Sequence, residues 1–420
     1  MLPQKGDGRY NYVVGVIQGT IFMFGVAFMD PTTVIPVFVK HFTSSDFLVG
    51  LASSIHRTGW HLPQLFIAGW VERHGFRLPI YLKANTVRMV LLWSFIPILG
   101  LYGAESPGLV LKIFLVMYAV SHLAGGVAGL PFSDLVGKTI PREHWGTFYA
   151  LRFMLGHGVF SILAGIIIRH ILASGEIYPF PSNFVLIFSL AAALMMAGYL
   201  TLSFLRESPG EVETQPRSWS GVLKEVPSIL RQDVNYRRMF GVQLFASGGG
   251  LAMPFYIVVA REQFDVDVAT TGLFLAVQTA GVVVSNAVWG WISTRFGNRS
   301  VVRWTTVCQL SVPLYTLWVL VGQGSSDGID AVTLFLPIFF LMGAAVSGSF
   351  VGFKSYLLDI APEARRPTYI GISNTMMGFA SLFPALGGVL AEAVGHPSLF
   401  VLAAISVAWS LWLVRGLTVR

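Results

Sequence analysis

The sequence predicts an all-α membrane protein: twelve spanning helices in two six-helix bundles. Three observations carry this. Hydrophobic residues make up 54% of the 420 and charged residues only 12%, whereas soluble domains carry about 25% charged residues. Twelve apolar stretches come close to or exceed the ~20 residues a helix needs to cross a bilayer. A short Gly/Arg motif also occurs twice, once in each half, always between two apolar stretches.

The stretches cover about 12–38, 47–71, 79–101, 108–131, 146–172, 183–205, 238–260, 268–294, 301–322, 331–357, 367–394 and 397–416. The first is too long for a signal-peptide core and has no small-residue cleavage site behind it, so it is read as a spanning helix. The expected organisation is a first bundle over 1–205, a cytoplasmic linker over 206–237 and a second bundle over 238–420. In the linker, Trp219, Val222, Leu223, Val226, Ile229 and Leu230 recur at helical spacing, which predicts an amphipathic helix on the membrane surface. Cys308 is the single cysteine, so no intrachain disulfide and no Cys-rich metal site can form.

The placement of basic residues gives an orientation. With the N-terminus inside, 23 of the 28 Lys and Arg fall on the cytoplasmic side, Arg88 and Arg152 among them. Lys40, Lys112, Arg169 and Arg261 fall outside and Arg57 lies deep. This is the positive-inside pattern, and it places both termini in the cytoplasm. The net charge of +7 is therefore read as orientation and lipid-headgroup contact, not as nucleic-acid binding.

The repeated motif is AGWVERHGFR at 68–77 and GWISTRFGNR at 290–299. At a spacing of 222 residues, Arg73 falls on Arg295, Gly75 on Gly297 and Arg77 on Arg299. Both copies resemble the G-x-L-a-D-R-x-G-R-R loop of the major facilitator superfamily, which joins the second and third helices of each half. Ala68 replaces the first Gly, Glu72 takes the place of the acid, and Thr294 replaces it in the second copy. The resemblance covers essentially the whole chain. It implies two bundles related by a pseudo-two-fold axis around a central cavity, rocking between inward-open and outward-open states. It also implies a cytoplasmic gate of Glu72, Arg73, Gly75, Arg77, Asp134, Arg295, Gly297, Arg299 and Asp359, in which acids and helix C-termini offset the repulsion among arginines. In the fourth helix, proton-coupled members carry R-x-x-Q-G. Here His122 stands at the Arg position, Gly125 at the Gln position, and Gly126 matches.

Ionisable groups inside a membrane are costly and so are functional candidates. With a rise of 1.5 Å per residue, Asp30 lies about 7 Å and Arg57 about 3 Å outside the bilayer centre, with His56, His61, His122 and His157 within about 4 Å of it. Transporters of this fold hold substrate at that depth. Asp30 and Arg57 are expected to form a buried pair, with His122 as the proton acceptor. In the second half the embedded polar residues are neutral, and Gln243, Gln278 and Asn374 complete the candidate substrate site.

No Walker-type phosphate loop and no hydrolase motif is present, so the expectation is a secondary transporter, not an enzyme or an ATP-driven pump. It is expected to need no cofactor and no resident metal. It is expected to act as a monomer in a bacterial inner membrane. A polar first half and an apolar second half suggest an amphipathic small molecule, exported with proton coupling. The alternatives are a divalent-metal carrier using Asp30 and the histidines, or a receptor or assembly factor on the same fold.

Overall fold

The computed structural model describes residues 7–141, 144–209, 219–322, 330–362 and 366–418. Among them every regular element is helical. In the first half these are α1 (Asp7–Ala27), α2 (Val34–Lys40), α3 (Asp46–Glu72), α4 (Leu78–Tyr102), α5 (Pro107–Thr139), α6 (Trp145–Arg152), α7 (Ser161–Ala173) and α8 (Ser182–Ser203). A π-helical stretch, Phe153–Phe160, joins α6 to α7. After the linker helix α9 (Trp219–Gln232) come α10 (Val234–Ala246), α11 (Phe255–Phe264), α12 (Thr270–Phe296), α13 (Asn298–Val321), α14 (Ala331–Ile360), α15 (Arg366–Ala380) and α16 (Phe383–Val414).

Among the described residues, ten helical runs are both long and apolar enough to span a bilayer. The sequence expectation was twelve, and two features account for the difference. α3 is 27 residues long, but His56, Arg57, His61 and Gln64 make it too polar to qualify. The last run, Tyr369–Val414, is 46 residues, and Gly395 breaks it at φ 81°. Only glycine adopts that conformation without strain, so one run serves as two spans. Large apolar side chains such as Leu101, Val116, Ile166, Trp318 and Val321 are exposed, as a lipid-facing surface requires. The protein is an integral, multi-pass membrane protein.

The chain divides into two compact units. The first comprises Met1–Asp30 and Ile55–Ser218; the second comprises Pro31–Ser54 and Trp219–Arg420. The stretch from Pro31 to Ser54, which precedes the first copy of the motif, thus packs with the second unit.

Glycine notches bring the helices of the first unit together. A Cβ at Gly15 would lie 2.6 Å from the Phe148 ring, and one at Gly19 would lie 2.3 Å from the Arg152 guanidinium. The predicted small-xxx-small pair of α1 therefore admits one ring and one guanidinium. Arg152 is buried, bonded to the Gly15 carbonyl and at 2.7 Å to Gln18 Oε1. It does not belong with the cytoplasmic charges where the sequence reading put it, and neither does Arg88, buried midway along α4. The count of charges by loop places residues by their distance along the chain, so it cannot detect an arginine that a neighbouring helix receives.

In the second unit, α9 forms where the periodicity predicts it. Ile229 is buried in the same core as Tyr236, Met239, Tyr356 and Tyr369, with Val226 and Leu230 packed against it. The C-terminal part of its apolar face is thus covered by protein, not by lipid headgroups. Asp233 then caps α10, accepting from the backbone N–H groups of Asn235 and Tyr236 at 3.1 and 3.0 Å.

A charge cluster ties the Pro31–Ser54 stretch into that unit. Lys40 Nζ lies 2.8 Å from Asp46 Oδ1 and 2.8 Å from Glu262 Oε1. His396 Nε2 lies 3.0 Å from Asp46 Oδ2. Glu392 Oε1 accepts from Ser45 Oγ at 2.6 Å and from the Phe47 N–H at 2.9 Å. Burial alone would raise the Asp46 pKa, but hydrogen bonds from His396 and Lys40, with their charges, hold it below the usual carboxylate range. A lowered folded pKa means that Asp46 contributes stability above the ordinary value of about 4 and loses it as pH falls through the folded value. Asp46→Asn is therefore expected to flatten the acid limb of melting temperature against pH. An unchanged limb would mean that the cluster contributes nothing to stability.

Candidate functional site

The site of the first unit is built where α3 crosses α5. Two glycines set the separation. A Cβ at Gly126 would lie 2.4 Å from the Gly59 carbonyl oxygen and 2.8 Å from that of Trp60. One at Gly59 would lie 2.6 Å from His122 Cβ. The two backbones can touch only because neither position carries a side chain. That approach places His56 one turn from Gly59, against His122 one turn from Gly126.

The histidines are hydrogen-bonded, His56 Nδ1 to His122 Nε2 at 3.0 Å. His122 Nδ1 lies 2.9 Å from the Tyr118 carbonyl oxygen. These contacts assign the tautomers. A carbonyl only accepts, so His122 Nδ1 carries the hydrogen and its Nε2 is bare. His56 must then donate from Nδ1, which leaves His56 Nε2 as the bare nitrogen. The Tyr118 ring packs against that of His122, tilted by 58° with centroids 4.1 Å apart.

These residues line a cavity within the first unit. One part of its wall is polar: His56, Arg88, Tyr118, Ser121 and His122. The rest is apolar, with Met29, Met117, Met195, Phe95 and Phe114. Arg88 is 5% exposed and Tyr118 4%. Among the described residues, Arg88 Nε and the Tyr118 hydroxyl have no hydrogen-bond partner. The guanidinium sits 5.3 Å from the Phe22 ring centroid and packs on Gly125, where a Cβ would meet Nη1 at 3.3 Å.

Asp30 lies within electrostatic reach of Arg57, His157 and Tyr118. The expectation of a buried Asp30–Arg57 pair is corrected in one respect: Arg57 is exposed and Asp30 half-buried. Consecutive helical residues are about 100° apart, so turning His56 onto α5 turns Arg57 off it. His61 lies one turn beyond Arg57 and is half-buried. His157 sits in the π-helical stretch, stacked on Phe153 with centroids 4.8 Å apart; such bulges recur at functional sites. The structure thus brings His56, His122 and Arg88 to one cavity, with Asp30, Arg57 and His157 an interacting set beside Tyr118.

The second-unit candidates are dispersed. Gln243 is buried, with Oε1 unpartnered. Gln278 Nε2 donates to Thr32 Oγ1 at 3.1 Å. Asn374 is exposed.

The motif loops also resolve into contacts. Arg77 is buried, its Nε 2.5 Å from Asp134 Oδ2. Glu207, which the sequence reading did not single out, accepts from the backbone N–H groups of Arg77 and Leu78 at 2.7 and 2.8 Å. Its carboxylate therefore caps the N-terminus of α4, where the helix dipole favours negative charge. Lys138 reaches the Gly75 carbonyl at 3.1 Å and Glu207 at 3.6 Å. Arg73 is exposed, and the Glu72 side chain lies outside the described residues. In the second copy, Gly297 holds φ 80°, Asn298 Nδ2 donates to Asp359 Oδ2 at 2.8 Å, and Arg299 Nη2 donates to the Arg415 carbonyl at 3.1 Å. Arg295 is exposed. Asp134 thus neutralises an arginine as expected. Asp359 holds an asparagine, and Arg299 is met by a carbonyl at the end of α16. Glu207→Gln keeps the shape of the cap but removes its charge. It is expected to destabilise the first unit by about 1–2 kcal/mol, read as a lower melting temperature in a lipid nanodisc; no change would show that the cap is incidental.

Arg88 was counted with the cytoplasmic charges, and its burial became visible only with the packing of α4. Tyr118 and Glu207 carried no sequence signal, because an interfacial Tyr and a loop Glu are unremarkable until their neighbours are known.

Membrane-spanning helices around a cavity with polar and apolar lining define a polytopic membrane protein. The Major Facilitator Superfamily model matches residues 238–419. Solved structures similar over the whole chain include the D-xylose-proton symporter, with a TM-score of 0.72 and 14% identity over 97% of each chain. A bacterial homologue of the iron transporter ferroportin in its inward-facing state gives 0.72 and 14%, covering 98% of this chain and 99% of that one. The nucleoside transporter NupG gives 0.71 and 12%, covering 97% and 98%. The model match covers the second half of the chain, and the chain as a whole shares its fold with these transporters. A search of curated protein sequences finds no match.

Proposed function

We propose that this protein is a secondary active transporter that moves an amphipathic small molecule by alternating access, coupled to protons. The observation that supports it best is the cavity of the first unit. A hydrogen-bonded His56–His122 pair ends there in a bare imidazole nitrogen, beside a buried Arg88 and an apolar wall. An arginine at the centre of a spanning helix costs about 2.5–3.5 kcal/mol on insertion scales, a cost that a binding role accounts for. Imidazole exchanges protons near neutral pH. The charged and titratable groups that act on His56 are Arg57, Arg88, His61 and His157. The two motif loops, with Arg73, Arg77, Arg295 and Arg299, serve as the cytoplasmic gate. Export, the direction expected from the sequence, is read from the sign of flux under an imposed pH gradient.

Uptake of radiolabelled candidate solutes into proteoliposomes, with and without that gradient, tests this reading. Flux that responds to the gradient supports it; binding without flux in any condition would favour a receptor. Among the described residues no group of three or more His, Cys, Asp and Glu could hold a metal ion, so no observation in the site favours the metal-carrier alternative.

We also propose a bacterial inner-membrane location with both termini cytoplasmic. In a Cys308→Ser background, cysteines at Ser208 and Ser44 are expected to label from opposite faces. Labelling of both by an impermeant reagent outside intact cells would overturn that orientation.

A further inference from the structure

We infer that the cavity of the first unit recognises an organic monoanion, a carboxylate on an apolar body, through Arg88 and the Tyr118 hydroxyl. The inference deepens the transporter reading and rests on it only for the word substrate.

The argument begins with what Arg88 lacks. Among the described residues no carboxylate stands at ion-pair distance from it, and its Nε has no hydrogen-bond partner. Its neighbours are the Phe22 ring at 5.3 Å and the bare Cα face of Gly125. A guanidinium has five donors in a planar fork that matches a carboxylate. Buried charges are normally paired, and this one faces a cavity. The Tyr118 hydroxyl, also without a protein partner, lines the same cavity. Two buried donors lining one cavity, without a partner among the described residues, specify an acceptor with negative charge. His56 Nε2, bare in the assigned tautomer, can hold a proton beside that charge.

The apolar lining sets the rest of the ligand. Met29, Met117 and Met195 with Phe95 and Phe114 offer no hydrogen bond, and methionine adapts to bodies of varied shape. A dianion would leave one charge against this apolar wall, and a cation would meet Arg88.

The test uses the full protein in lipid nanodiscs and three probes of one skeleton: 3-phenylpropionate, 3-phenylpropanamide and 3-phenylpropylamine. Binding is measured by calorimetry at neutral pH. The carboxylate is expected to bind at least about ten-fold tighter than the amide, as a hydrogen bond to a charged group predicts, and the amine is expected to bind weakest. Arg88→Gln should erase the carboxylate preference, Tyr118→Phe should reduce it several-fold, and Gly125→Val, which displaces the guanidinium, should weaken the carboxylate more than the amide. Equal binding of carboxylate and amide by the wild-type protein overturns the inference whether or not any variant folds, and so do failure of all three probes to bind and a carboxylate preference retained in Arg88→Gln. Carboxylate-selective binding without flux would instead sink the transporter reading and leave the anion site standing.

Discussion

His56→Gln is expected to lower gradient-driven transport by about ten-fold or more and to flatten its pH dependence, because glutamine carries no titrating nitrogen. The reason lies in the tautomers. His122 has both nitrogens engaged, one by the Tyr118 carbonyl and one by His56. The nitrogen that can take a proton is His56 Nε2, so His56 and not His122 is the accepting end of the pair. Glutamine at 56 keeps a donor toward His122 but cannot titrate. His122→Gln can still accept from His56 and donate to Tyr118, so it is expected to keep much of the pH response. The measurement is proteoliposome flux at several pH values for both variants, with melting temperatures as the folding control. A pH profile that persists in His56→Gln and vanishes in His122→Gln would reverse the assignment. Profiles unchanged in both would remove the pair from coupling altogether.

Gly126→Leu is expected to destabilise the protein by about 3 kcal/mol or more, the upper range of overpacking. The atoms in the way are the carbonyl oxygens of Gly59 and Trp60 and Cδ of Pro63, the last 2.9 Å from a Cβ. All belong to backbone or to a proline ring, so no rotamer change relieves the contact. α3 and α5 must separate, and the 3.0 Å bond between His56 and His122 breaks with them. Gly125→Ala on the adjacent face meets the flexible Arg88 side chain at 3.3 Å and the Trp60 ring at an ordinary 3.8 Å, and is expected to be tolerated far better. Melting temperature in nanodiscs checks both. Equal stability of Gly126→Leu and wild type would mean that the α3–α5 crossing is looser than described.

Much of the architecture was legible because bilayer physics constrains it strongly. A chain in hydrocarbon must satisfy its backbone within helices, so apolar runs of about 20 residues show the spans directly. The exception, α3, shows the limit: its polar residues lower its apolarity because they serve the site. The candidate site was legible only as a set of residues at one depth. His56, His122 and Asp30 could be named because ionisable groups are rare inside membranes. Which of them touch depends on rotation about each helix axis, and a 100° step decided that His56 meets α5 while Arg57 does not.

The sequence by itself determined the class: an all-helical membrane protein, two halves marked by a repeated loop, and a polar cluster in the first of them. These follow from composition, run length and repetition, which are properties of the chain alone. Only the tertiary structure decided that Arg88 and Arg152 are interior groups, that Glu207 caps α4 from 130 positions away, and that two glycines bring His56 to His122. Each depends on which backbone approaches which, and that is set by side-chain volume at the helix crossings, a quantity that has no trace in hydropathy or charge.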